Sequence, residues 1–255
     1  MKPPPPFTII YDDENIIAVN KASGIAVGGD RWDDSKQRLD KMIAETALSL
    51  GEKIFTVHRI DQETSGLVVF ARNETAHRNL SILFESREVS KRYILLVHGR
   101  PPWQETACDL PLVPNGNKLH MTIIDKFRGK KSLTNFRLLA AAGSYSLLEA
   151  RPETGRTHQI RVHAAAIGFP VACDSLYGSG KPAMLSAMKK NWRGDPFSEK
   201  PLLSRLGLHA LELIFGSSSP LPETGPIKLL APLPRDMAAL VKQMEKIDSG
   251  LSGLF

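Results

Sequence analysis

Five consecutive apolar residues, Leu67-Val68-Val69-Phe70-Ala71, follow directly on a segment crowded with charge, Val57-His58-Arg59-Ile60-Asp61-Gln62-Glu63-Thr64-Ser65-Gly66. Side chains along a strand point alternately to its two faces, so a run with no polar position describes a strand buried on both. Tyr93-Ile94-Leu95-Leu96-Val97 repeats the pattern. Two such strands require a sheet covered on each side. The polar loop at the mouth of the first is where a rigid element can hold a reactive group.

Four prolines, Pro3 to Pro6, read as a short extended lead-in over residues 1–7. Strands are expected at Phe7–Tyr11 and Ile16–Asn20, with a turn at Asp12–Asn15 between them. Apolar positions at helical spacing predict a helix over residues 36–50. A turn at Thr64-Ser65-Gly66 should precede the strand 67–71, and a helix should follow at 73–88, with Leu80, Leu83 and Phe84 on one side. Further strand signals fall at Leu133–Leu139 and Tyr145–Ala150. Thr157 suits the N-cap of a helix that Gly168-Phe169-Pro170 ends. Residues 178–205 read as an irregular insertion. A strand at Gly207–Phe215, a helix near Asp236–Ile247 and a flexible tail at 248–255 close the chain. Strands mixed irregularly with few helices imply an α+β fold, one catalytic domain over residues 8–247.

No stretch approaches the roughly 18–20 apolar residues of a membrane helix, and Met1–Pro6 lacks the apolar core of a signal peptide. A cytoplasmic protein with no membrane partner is expected, monomeric by default. Cys108 and Cys173, far apart, make neither a disulfide framework nor a C-x-x-C metal pair and read as small buried residues. The net charge is +6, and it is uneven: residues 1–50 hold six Lys/Arg against eight Asp/Glu, while the remainder holds 27 against 19. A basic body of this kind favours an acidic partner, and nucleic acid is the common one.

A second polar segment, Arg151-Pro152-Glu153-Thr154-Gly155-Arg156-Thr157-His158-Gln159-Ile160-Arg161-Val162-His163, packs many donors into few positions. If a helix starts near Thr157, its open amides with Arg156, His158 and Arg161 form a positive site suited to phosphate or carboxylate. His158 and His163 are five apart and share no good helical face, so no metal pair is expected.

Together these segments resemble the RluA branch of the pseudouridine synthases. That family carries His-Arg-Leu-Asp followed by Thr-Ser-Gly and an apolar run, here His58-Arg59-Ile60-Asp61 and Thr64-Ser65-Gly66. Its Thr-Gly-Arg-Thr-His-Gln-Ile-Arg-Val-His is complete at Thr154–His163. Asp174-Ser175-Leu176-Tyr177-Gly178, Lys91-Arg92-Tyr93, Leu208-His209-Ala210 and Ala231-Pro232-Leu233-Pro234 match further blocks in the expected order, from about residue 8 to 240. One departure is Lys21-Ala22-Ser23-Gly24, where the family usually reads Lys-Pro-x-Gly.

The resemblance implies a mixed, largely antiparallel sheet with flanking helices around a central active-site cleft. It implies isomerisation of uridine to pseudouridine in ribosomal or transfer RNA, with no cofactor and no metal. Asp61 becomes the catalytic carboxylate, Arg161 the cation that keeps it ionised, and Tyr93 a ring stacked on uracil. Arg59 helps fill the space left by the flipped nucleotide. His58, Thr64, Arg156, His158 and Leu208 complete the substrate-binding set, His58 mainly by bracing its loop through hydrogen bonds. The insertion at 179–206, rich in Lys and Arg, is either an RNA grip or a solvated loop. Two rivals are a non-catalytic RNA binder on the same scaffold and a hydrolase pairing Asp61 with Glu63 or Asp174.

Overall fold

The computed structural model describes residues 5–29, 37–46, 53–117, 121–216 and 227–248. In chain order, β1 (Phe7–Asp12) and β2 (Ile16–Lys21) lead to α1 (Leu39–Thr46), β3 (Phe55–Thr56), β4 (Ser65–Ala71) and α2 (Glu74–Ser86). Next come β5 (Val89–His98), β6 (Glu105–Cys108), β7 (Leu112–Val113), β8 (Ile123–Ile124), β9 (Thr134–Ala142) and β10 (Tyr145–Pro152). Then α3 (Gln159–Ala166), β11 (Leu208–Phe215), β12 (Ile227–Leu230) and α4 (Arg235–Glu245) complete an α+β fold whose pairings are mixed and mostly antiparallel. No helix among the described residues is long and apolar enough to cross a membrane.

The chain forms two interleaved compact units. The first holds residues up to Lys91 together with His209–Pro232, and the second holds Arg92–Leu208 together with the segment from Leu233. In the first, β4 pairs antiparallel with β2 along its length, Ala71 opposite Ile16 and Gly66 opposite Lys21. Its other edge is shared by β11, which runs parallel at its start, and β3, antiparallel at its end. Every residue of β4 is buried, as the unbroken apolar run requires. One face of β2 and β4 (Ile16, Ala18, Leu67, Val69, Ala71) packs with Ala76, Leu80 and Leu83 of α2 and with Leu213, Phe215 and Leu229. Ile17, Val19, Val68 and Phe70, which point the other way, are equally inaccessible. Asn73 caps α2 by accepting the Ala76 amide at 2.8 Å.

In the second unit β5, β10, β9 and β6 form an antiparallel sheet. The α3 helix lays Ile160 and Ala164 against Leu95, Val97, Phe136, Leu148 and Ala150. Each fully buried aliphatic or aromatic side chain of this kind contributes about 1.5–3 kcal/mol. The α4 helix buries Met237, Leu240, Val241 and Met244.

Several expectations change. The turn lies at Gln62-Glu63, and Ser65 and Gly66 already belong to β4. Gly66 has φ +115°, and a Cβ there would fall 2.2 Å from the Ala210 carbonyl oxygen, so glycine serves the approach of β11 rather than a turn. The α3 helix begins two residues later than expected. Its cap is His158 in the left-handed region (φ 53°), with no side-chain cap from Thr157. The helix over 36–50 is present as α1, residues 47–50 lying outside the described set, as do residues 1–4 of the lead-in and 249–255 of the tail. The insertion 179–206 has no helix or strand, yet Ala183, Met188, Leu203 and Leu206 are buried, and Ala183 bridges to Leu203. Arg205 anchors its end to Asp236 of α4 through two bonds of 2.7 Å.

Candidate active site

In the first unit the Asp61 loop is clamped from both directions. The Gln62 carbonyl accepts the Gly24 amide and the Lys21 ammonium, each at 2.9 Å, and Gln62 Nε2 donates back to the Gly24 carbonyl. Ser23 Oγ donates to the Glu63 carbonyl, and the Thr64 amide closes the turn onto the Asp61 carbonyl at 3.1 Å. Lys21 is 1% exposed, an unusual depth for an ammonium, and this burial fits its work on the loop backbone. The half-buried Asp61 is thus followed by a turn whose main chain is held to residues 21–24, while Arg59 and Glu63 face solvent.

His58 is turned inward. The β3–β4 ladder stops at Thr56–Phe70, and the next β4 amide, Val69, donates to His58 Nε2 at 2.9 Å instead. The ring stacks on Phe84 with centroids 4.5 Å apart. Burial, with Lys91 adding repulsion, pushes its pKa from 6.5 down to about 3, so the acceptor nitrogen stays neutral. His58 therefore braces the loop rather than presenting a surface to a ligand. Thr64 is nearly inaccessible as well, and its hydroxyl has no hydrogen-bond partner among the described residues. At the mouth of β4, the carbonyl of Ala231 can only accept, so His209 Nε2 carries the proton and its Nδ1 accepts the Ser65 hydroxyl at 3.0 Å.

In the second unit the segment Thr154–His163 divides into a frame and a presented face. Gln159 Oε1 accepts the Thr154 hydroxyl at 2.7 Å and the Arg156 amide at 3.0 Å, while its Nε2 donates to the Leu133 carbonyl and Thr134 Oγ1. Thr134 in turn donates to His163 Nδ1, whose other nitrogen donates to the Leu110 carbonyl. Each hydroxyl and amide here has a partner, as a buried polar network must. Gln159 thus ties the first turn of α3 back to the loop before it.

Arg161 lies 3% exposed on α3. Its Nε and Nη2 donate to the two oxygens of Asp174 at 2.7 and 2.8 Å. Asp174 also accepts the amides of Leu176 and Tyr177. Burial alone would raise the Asp174 pKa, but the Arg161 bonds and charge with those two amides outweigh it and hold the carboxyl below its usual range. The Arg161 guanidinium stands 5.2 Å over the Tyr177 ring. The Tyr177 hydroxyl accepts the Thr122 amide and shares a 2.9 Å bond with His158 Nδ1. At this helix start Arg161 is paired edge-on with Asp174, while Arg156 and His158 stay partly exposed. This also removes Asp174 as the second carboxylate of a hydrolase, because it is buried and ion-paired.

Tyr93 is half-buried on β5 opposite Ala150 and packs against the core beneath α3. Arg156 donates from Nε to the Lys131 carbonyl. Leu208, at 2% exposure, is a core residue beside Leu95 and Leu206. Asp61, His58, Arg59 and Thr64 thus belong to the first unit, and Tyr93, Arg156, His158, Arg161 and Leu208 to the second. Sequence reasoning assigned no role to Lys21, Gln159, His209 or Tyr177. For Lys21 the signal was a lysine ending an otherwise apolar strand. Among the described residues no group of three or more His, Cys, Asp or Glu is placed to hold a metal ion.

Residues 15–166 match the family model described as RNA pseudouridylate synthase. The ribosomal large subunit pseudouridine synthase D of Zymomonas mobilis is 32% identical over 246 residues, covering 94% of this chain and 73% of that protein. An uncharacterized RNA pseudouridine synthase of the same organism is 36% identical over 182 residues, 71% of this chain and 82% of its own length. The solved structure of human RNA pseudouridylate synthase domain containing 1 superposes with a TM-score of 0.68 at 25% identity, covering 98% of this chain and 90% of that one. The chain belongs to the RNA pseudouridylate synthase family. Within it the chain is of the RluA type, an isomerase acting on RNA.

Proposed function

We propose that this protein converts uridine to pseudouridine in ribosomal RNA, with Asp61 as the catalytic carboxylate. The observation that carries the assignment is the mounting of Asp61, at the mouth of a wholly buried strand, with the two residues that follow it tied to residues 21–24 by hydrogen bonds. Catalysis needs a reacting group held by packed surroundings, and few exposed carboxylates have such a mount. The name of the Zymomonas relative supports ribosomal RNA as the substrate class.

The reaction breaks the bond between ribose and the base nitrogen, turns the base, and rejoins it through carbon, so no group enters or leaves. An ionised Asp61 would start it, by attack on the sugar or by taking a sugar proton. Arg161 would supply positive charge and Tyr93 a ring for the uracil face. Arg161 is already paired with Asp174, so its charge would come to Asp61 as part of a fixed cluster, and Asp174 would act as a positioning residue. The uridine must first leave its stack, at a cost of a few kcal/mol, and Arg59, exposed beside Asp61, is suited to the vacated space.

The test is tritium release from carbon-5-labelled uridine in transcripts of large-subunit ribosomal RNA and of transfer RNA. Wild type should release label from the ribosomal transcript, and Asp61→Asn should release none while keeping RNA affinity. Activity retained in Asp61→Asn would overturn the assignment, and label released solely from transfer RNA would overturn the substrate class.

A further inference from the structure

Phe127 is 99% exposed. Phe197 is as exposed, so exposure alone decides nothing; what sets Phe127 apart is the company it keeps. It sits in the segment Asp125-Lys126-Phe127-Arg128-Gly129-Lys130-Lys131, where all four cations are exposed. The one acidic residue is consumed by the turn. Asp125 Oδ1 accepts the amides of Phe127 and Arg128 at 2.9 and 3.0 Å, and Oδ2 accepts Arg128 Nε at 2.7 Å.

The turn is rigid. The Gly129 amide donates to the Asp125 carbonyl at 2.8 Å, and a Cβ on Gly129 would lie 2.3 Å from that oxygen. Leu112 and Lys130 exchange bonds of 3.0 and 2.9 Å at its base. Both flanks are tied to the Arg161 cluster of the same unit. Thr122, three residues before Asp125, donates to the Tyr177 hydroxyl, and the Lys131 carbonyl accepts Arg156 Nε. Leu133 donates to Thr154 Oγ1 and accepts from Gln159. An aromatic ring and three lysine charges, with Arg128 held beside them by Asp125, are therefore presented at low entropic cost, on a framework shared with His158 and Arg161.

We infer that this turn is a binding site for an unpaired stretch of RNA, with Phe127 stacking on one base and Lys126, Arg128, Lys130 and Lys131 facing the phosphates beside it. This rests on the reading that the protein acts on RNA, and it adds that the substrate carries unpaired nucleotides flanking the target. An acidic peptide would satisfy the cations but leave the ring in water, and a continuous duplex offers no free base face. A single strand offers both, because every base has a stacking face and every linkage a charge.

The probes are oligouridine and a fully paired RNA duplex of equal length, titrated with wild type, Phe127→Ala, Phe127→Trp, Phe127→Leu and a Lys126→Ala/Arg128→Ala variant. Phe127→Ala should weaken oligouridine binding on the order of ten-fold and duplex binding little. Phe127→Trp should restore it and Phe127→Leu should not. The double variant should flatten the log–log salt dependence by about 0.7 per charge removed. Melting temperatures should be unchanged, since the side chains lie outside the core. Oligouridine binding by Phe127→Ala within two-fold of wild type, or full rescue by Phe127→Leu, would overturn the inference. Failure of the wild type to release label from any transcript would overturn the proposed activity and leave this binding result standing.

Discussion

Changing Asp174 to Asn removes one negative charge and leaves the side-chain volume almost unaltered. Its carboxylate is wholly buried and Arg161 is 4% exposed, so the guanidinium would remain in the interior without its counter-charge. Breaking a buried pair from one side costs about 3–5 kcal/mol. The new amide nitrogen would also face donors at one of the two carboxylate positions, losing roughly another 1 kcal/mol. Against a total of about 5–15 kcal/mol for a folded domain, this consumes a large share. Urea unfolding at neutral pH should register it as a fall in midpoint. Replacing both partners, Arg161→Met with Asp174→Leu, should recover much of the loss, because apolar pairs often match buried ion pairs, while activity stays absent. A further signature follows from pH. Asp174 has a lowered pKa in the fold, so below the ordinary carboxylate value of about 3.9 the unfolded chain binds a proton that the folded one resists. Its stabilisation is present above that value and fades as pH falls through the folded pKa, and Asp174→Asn should lack that component. A loss under about 1 kcal/mol, or a double variant as unstable as the single one, would refute the reasoning. The same pairing means that Arg161→Ala will strip support from Asp174 as well as charge from the site.

His58→Phe keeps the stack on Phe84 but leaves the Val69 amide without its acceptor, and should cost about 1–3 kcal/mol at neutral pH in urea unfolding. Because the folded His58 resists protonation down to about 3, the wild type should lose stability as pH falls below 6.5, and the variant should show a shallower loss over that window. Gly66→Ala should lower the melting temperature, through about 1–3 kcal/mol of backbone strain at φ +115° and a further displacement of β11; an unchanged melt would sink that account.

The sequence made the covered strands and the two polar segments readable because each rests on local patterning. The unbroken run 67–71 could hardly be anything but a buried strand, and the helix at 73–88 had an apolar stripe of Leu80, Leu83 and Phe84. The errors arise where distant chain decides local geometry. Ser65 and Gly66 resemble turn residues, yet β11, arriving more than a hundred positions later, makes them strand. Thr157 resembles a cap, yet the helix opens after a left-handed His158, and Gln159 ties its first turn to Thr154, Leu133 and Thr134. Arg161, which the resemblance assigns to Asp61, also has a partner that the sequence did not reveal. Its bidentate bond to Asp174 was hidden because nothing in Asp-Ser-Leu-Tyr-Gly distinguishes a buried counter-ion from a turn aspartate.

The niche at Gly66 has a bearing on how the protein is made. The residues that close it, His209 and Ala210, leave the ribosome long after β4, and the whole second unit is synthesised in between. A nascent chain carrying Asp61 therefore lacks the strand that pairs with Ser65 and Gly66 until β11 has been made. Pairing across such a separation carries a large loop-closure cost and slows folding. The loop carrying Asp61 should thus acquire its final shape only once β11 is available, and truncated products ending before β11 should be unstable there.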